Sequence, residues 1–151
     1  MTFYMEDFEI TREGIVIIQW LKDTDPQLGE ELYNMIRCKE GERANYFVEY
    51  HKVNSKGEFI AVLKDLINRT EKGTIFTLHI VAHGYEDGIG TMMGTNEVQW
   101  AELFYYTRQL NVIMGNNLLL VLSSCVGGGI LSQESGGQEL SYTDYTPINT
   151  I

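Results

Sequence analysis

Three stretches of the chain are continuously apolar or β-branched and short: Gly14 to Leu21, Thr74 to Gly84, and Leu118 to Cys125. That pattern is how strands buried on both faces of a parallel sheet read in one dimension. Ala44 to Val53 is aromatic and β-branched with partial alternation, which predicts a more exposed strand. Between these runs the period changes to that of a helix. Asp23-Thr24-Asp25-Pro26 supplies a cap and a proline for a first helical turn, Leu28, Leu32, Met35 and Ile36 form its stripe, and Gly41 stops it. Ser55 opens a second helix with Phe59, Val62, Leu63, Leu66 and Ile67 on one face, closed by Glu71-Lys72-Gly73. Glu97 to Asn111 predicts a third, with Val98, Ala101, Leu103, Phe104, Tyr105 and Leu110 as its apolar positions. Tyr85 to Gly90 reads as a glycine-punctuated loop, and Met93-Gly94-Thr95-Asn96 as the centre of a short hairpin.

Strands alternating with helical segments predict βαβ units, hence an α/β fold with a mostly parallel sheet, flanking helices and right-handed crossovers. At 151 residues the expectation is a single domain over 1–151. The tail 130–151 has little periodicity and is read as irregular, either disordered or holding one edge strand near Tyr145 to Ile151.

Charge narrows the partners. Eleven basic against 21 acidic side chains give −10 and a pI near 4.6, a surface that repels phosphate backbones and anionic lipid. No basic patch offsets it, so neither nucleic acid nor membrane is expected as a partner. Two cysteines, Cys38 and Cys125, are too few for a disulfide framework, and the acidic start of the chain does not resemble a signal peptide. A cytoplasmic protein is the expectation.

The chemistry gathers at two strand ends. His83 precedes Gly84 at the exit of one run, and Cys125 stands at the polar end of another, before Val126 and three glycines. If those strands are parallel neighbours, imidazole and thiol emerge on one rim, where open α/β sheets bind ligands. A thiol beside a base is the minimum equipment for nucleophilic acyl transfer. His79 and His83 suggest metal chelation only on a helix; four residues along a strand separate them by roughly 13 Å. No metal and no cofactor is therefore assigned, and His79 reads as a hydrogen-bonded core histidine. Cys38, at a helix end between Arg37 and Lys39, reads as incidental. The glycine triplet lacks the Lys-Ser/Thr of a P-loop, and Gly-x-Ser-x-Gly is absent around Ser123 and Ser124.

Leu78-His79-Ile80-Val81-Ala82-His83-Gly84 and Leu119 to Gly128, with Ser123-Ser124-Cys125 at its centre, resemble the two motifs of caspase-like cysteine peptidases, most closely the CHAT branch. The resemblance implies a three-layer caspase-hemoglobinase fold and cleavage of peptide bonds in a protein or peptide substrate. It implies Cys125 as nucleophile, His83 as acid/base, and the backbone N–H groups of Gly84 and Cys125 as oxyanion hole. Control by a protein partner or by processing goes with such an activity, and a catalytically inactive interaction module is the alternative. Ser123, two before the nucleophile, falls where the family shapes its substrate pocket, and its neutrality leaves the preferred charge open; Glu86 and Asp87 would favour a basic substrate residue. Only 26 residues follow Cys125 (151 − 125), fewer than the family uses to finish that pocket. The chain is then a domain incomplete at its C-terminus, one completed by a partner, or a reduced relative.

Overall fold

A computed structural model describes residues 8–22, 27–37, 45–90 and 98–123, and the backbone of Tyr145–Pro147. The apolar runs become strands β1 (Arg12–Trp20), β3 (Thr74–Gly84) and β6 (Leu119–Ser123), and the alternating run becomes β2 (Tyr46–Lys52). Helices α1 (Leu28–Ile36), α2 (Lys56–Arg69) and α3 (Trp100–Ile113) connect them. Two short strands, β4 (Gly88–Gly90) and β5 (Val98–Gln99), follow β3, and β7 (Tyr145–Pro147) takes up the edge-strand alternative for the tail.

The main sheet runs β2-β1-β3-β6-β7, with the first four strands parallel and β7 antiparallel to β6. The last two residues of β3 also pair antiparallel with β4, which pairs with β5. The fold is thus α/β, with an open, mostly parallel and partly antiparallel sheet.

Side chains alternate along each strand, so every buried strand feeds two cores. Val16, Ile18, Trp20, Leu78, Ile80, Ala82 and Leu120 pack with Phe59, Leu63 and Leu66 of α2 and Leu103 and Leu110 of α3. Ile15, Ile17, Val48 and Val81 point the other way, against Leu28, Leu32, Tyr33 and Ile36 of α1. Helices therefore cover both faces. Burial of these large apolar side chains, at about 1.5–3 kcal/mol each, drives the layering.

The helix ends follow their local chemistry. Ser55 Oγ accepts the N–H of Glu58 at 3.1 Å, while the Glu58 carboxylate accepts from Asn54 N–H at 2.7 Å, so two donors at the start of α2 are satisfied. Gly73 closes the α2–β3 turn at φ +98°, a conformation that favours glycine. The proposed cap and stop of α1, Asp23 to Pro26 and Gly41, lie outside the described residues. Instead α1 starts after Gln27, and its first amides are held by a residue of β1, as described below.

Three expectations are corrected. Met35 is 69% exposed, because the stripe of α1 centres on Leu28, Leu32, Tyr33 and Ile36 and leaves Met35 at its margin. Val98 belongs to β5, not to α3, and Tyr105 is 64% exposed. The inner face of α3 is built from Leu103, Thr107, Leu110 and Asn111, two of them polar. Part of the Tyr85–Gly90 loop is strand β4, and β4 with β5 forms the arms that flank the hairpin centre, which itself lies outside the described residues.

Gly88 makes that hairpin possible: a Cβ there would sit 1.9 Å from the backbone oxygen of Val98. Gly88→Ala is expected to force β4 and β5 apart at a cost of about 2 kcal/mol. Amide hydrogen exchange at Ile89 and Val98 should accelerate while that of β1 stays slow; unchanged protection at both would contradict the close packing. Among the described residues no helix is long and apolar enough to cross a membrane.

Candidate functional site

The site is assembled from β3 and β6. They are parallel neighbours, paired from Thr77↔Leu119 through Val81↔Ser123. Alternation places His79, Val81 and His83 on the face of β3 that is turned toward the α1 layer, and Val121 and Ser123 on the same face of β6. Gln19 of β1, opposite Val81, completes this face on the other side of β3.

His83 is the penultimate residue of β3 and is 6% exposed. It stands opposite Gly90 of β4, so its backbone belongs to the antiparallel ladder while the strand behind it belongs to the parallel sheet. Gly84 ends β3 opposite Ile89. Tyr85 and Gly88 exchange both backbone hydrogen bonds, at 2.7 and 3.3 Å, which makes them a hydrogen-bonded pair of the ladder. By the alternation of such pairs the Gly84 N–H is turned away from β4.

Glu86 and Asp87 form the two-residue turn between Tyr85 and Gly88, with exposed side chains. Their carbonyls are taken by the start of α3: Trp100 Nε1 donates to Glu86 O at 2.9 Å, and Trp100 N–H donates to Asp87 O at 3.0 Å. The turn is thus held from below. Both carboxylates face solvent.

Ser123 closes β6, and its Oγ lies 2.6 Å from His79 Nε2. The bond is diagonal, since His79 is level with Val121 and the imidazole reaches one pleat further along β6. Both residues are half-buried. Removal from water pushes the His79 pKa from 6.5 down to about 4, so the ring is neutral near pH 7. The expectation of a hydrogen-bonded histidine at position 79 holds, with Ser123 as the partner that the sequence did not identify. Cys125, Cys38 and Gly127 to Gly129 lie outside the described residues.

Gln19 is a second group that sequence reasoning missed. It sits within an apolar run, fully buried, and its Oε1 accepts the N–H groups of Gly29 and Glu30 at 2.7 and 3.2 Å. Its Nε2 donates to Gln27 Oε1 at 2.6 Å. A side chain from the sheet therefore caps α1. Gly29 is required beside it, because a Cβ there would lie 2.6 Å from Gln19 Oε1.

Fold and site together define an α/β protein whose distinctive chemistry lies where two neighbouring parallel strands end. No protein-family model matches the chain, and no curated protein matches it.

Proposed function

We propose that this chain is a caspase-like cysteine peptidase domain, nearest in its motifs to the CHAT branch and of caspase-hemoglobinase fold, which cleaves peptide bonds with Cys125 as nucleophile and His83 as acid/base. One observation carries the reading. The offset between β3 and β6 is constant at 42 from Thr77↔Leu119 to Val81↔Ser123 (119 − 77 = 123 − 81 = 42), and the same offset takes His83 to 125. Extended by two residues, the same offset would set the thiol level with the imidazole, on strands about 4.8 Å apart and on the face that holds Ser123.

In this reading the Cys125 thiolate attacks the scissile carbonyl carbon, and the oxyanion is held by the N–H groups of Gly84 and Cys125. His83 protonates the leaving amine as the C–N bond breaks and leaves a thioester. Water then hydrolyses the thioester, giving its proton to His83. Ser123 would shape the substrate pocket, and the exposed carboxylates of Glu86 and Asp87 would attract a basic substrate residue.

The His79–Ser123 contact offers a serine with a base at hydrogen-bond distance, yet it is the weaker pair. A base with a pKa near 4 accepts a proton from a hydroxyl far less readily than an ordinary imidazole, and a thiol ionises more readily than either serine. His83 at 6% exposure bears on activity directly. The proposal therefore includes an opening step before a peptide can reach the imidazole, which fits control by a partner or by processing. The same burial favours the second reading, an inactive interaction module of this fold.

A peptide carrying a chloromethyl ketone tests the assignment. It is expected to label Cys125, not Cys38; Cys125→Ala should abolish labelling, and His83→Ala should slow it by about 100-fold or more. A fluorophosphonate should leave Ser123 unmodified. Label on Cys38 or Ser123 would overturn the site. No labelling and no turnover of a peptide library, with a protein partner retained through purification, would establish the module instead.

A further inference from the structure

We propose that the cavity between the C-terminal end of α2 and the amino edge of the sheet binds a monocarboxylate carried on a short apolar body, through Arg12 and Thr74. The inference stands apart from the peptidase reading. Thr74 opens β3 and His83 lies nine residues further on (83 − 74), roughly 30 Å along an extended strand. The cavity has a volume of about 210 Å³, room for roughly seven waters at 30 Å³ each and thus for a small organic acid. Strand register builds it in rows on the face turned toward α2. Arg12 pairs with Thr74 at the edge, Gly14 lies between Phe47 and Phe76 in the next row, and Val16 stands beside Glu49 in the third. A Cβ at Gly14 would lie 2.6 Å from Phe47 Cδ1, so the glycine leaves the Phe47 ring its space above β1. Leu66, Arg69 and Glu71 form the facing wall.

The two guanidinium groups at the cavity differ in what they already hold. Arg69 is committed: its Nε donates to Asp65 Oδ2 at 2.6 Å, and an Nη donates to Glu49 Oε2. Glu49 is matched in turn, since His51 Nε2 lies 2.5 Å from the same oxygen. Arg12 holds no carboxylate among the described residues. Its guanidinium sits 4.2 Å from the centre of the Phe47 ring, a contact that restrains the group and uses none of its N–H donors. Thr74, 9% exposed, lines the cavity beside it, and its hydroxyl makes no hydrogen bond among the described residues. A planar fork of donors matches one carboxylate. The acids on the wall limit the charge that can follow: Arg12 and Arg69 are balanced by Glu49 and Glu71, so a dianion would leave the cavity doubly negative in a chain that already carries −10. Val16, Leu66 and Phe76 are buried apolar side chains, and they favour an apolar body over a second polar group.

The experiment titrates isocaproate into the full chain, labelled for amide NMR. Saturable shifts are expected at the amides of Arg12, Thr74 and Phe76, with a Kd on the order of 1 mM. Isocaproamide, of the same shape without the charge, should bind about tenfold more weakly or worse, and Arg12→Gln should weaken isocaproate by a similar factor. Arg12→Lys keeps the charge but loses the fork, and should weaken binding by about threefold or more. Glu71→Gln removes a like charge from the wall and should tighten binding by about twofold. A tetrapeptide ending in leucine separates the two sources of such a group: tighter binding than isocaproate assigns the cavity to a chain terminus, and weaker binding to a free acid. The comparison with isocaproamide needs no variant, so it carries the test if Arg12→Gln does not fold; melting followed by circular dichroism checks each variant. No saturable shift at these amides up to about 20 mM isocaproate would overturn the inference. So would equal binding of the amide, parent-like affinity in folded Arg12→Gln, or a preference for succinate or inorganic phosphate.

Discussion

Gln19→Leu is expected to destabilise the fold by about 3 kcal/mol, although it replaces a polar residue by an apolar one of similar size in a fully buried position. Leucine cannot accept from Gly29 N–H or Glu30 N–H, so two donors at the start of α1 lose their partner, and Gln27 loses the donor at its Oε1. Each buried donor left without an acceptor costs about 1–3 kcal/mol, which outweighs the gain from the added apolar surface. No side chain at the N-cap position replaces the lost acceptor, because Gln27 makes no capping bond of its own. Urea denaturation should show a lower midpoint with an unchanged slope, and hydrogen exchange should be fastest in α1. A midpoint equal to that of the parent would mean that the cap contributes nothing.

Acid should weaken the protein in two stages. His79 has a folded-state pKa of about 4 against 6.5 unfolded, so the unfolded chain takes up a proton first. The stability held above pH 6.5 is lost as the pH falls from 6.5 to 4, by up to roughly 3 kcal/mol for the half-buried ring. The second stage belongs to Glu49, held at about 2 against 4.5, foremost by its hydrogen bond from His51 at 2.5 Å and also by the Arg69 guanidinium. Its contribution is present above pH 4.5 and is lost between 4.5 and 2. Urea midpoints measured down the pH scale should fall in both windows. His79→Phe should flatten the upper one and Glu49→Gln the lower, whereas an unchanged upper slope in His79→Phe would assign the loss to another group.

The parts of this fold that could be read from the sequence are those where burial and period agree. β1 and β3 are covered on both faces, so their apolar runs had a single interpretation; β6 carries the same kind of run although only Leu120 of it is buried, and the glycine after His83 marked the strand exit. What escaped depended on distant partners. Gln19 lies in an apolar run because its partners, Gln27, Gly29 and Glu30, are on another element. Asn111 is polar on the inner face of α3 because its Oδ1 accepts Leu118 N–H at 3.1 Å across the turn into β6. Val98 and Tyr105 both fit a helical stripe, but Val98 is taken by pairing with Ile89, and Tyr105 falls on the outer side of α3. At the site, strand adjacency entered the sequence reading as a condition that the β3–β6 pairing meets; the His79–Ser123 bond was not foreseen, since it depends on a register that no local pattern encodes.

β3 belongs to two sheets at once, and its final two residues are the splice between them. A force that levers the β4–β5 arm upward must bend the strand at His83↔Gly90, because no flexible linker separates the arm from the imidazole. The arm is anchored in turn by Trp100 at the head of α3, whose indole and backbone hold both turn carbonyls. A push on the outer side of that helix therefore has a short, stiff route to His83.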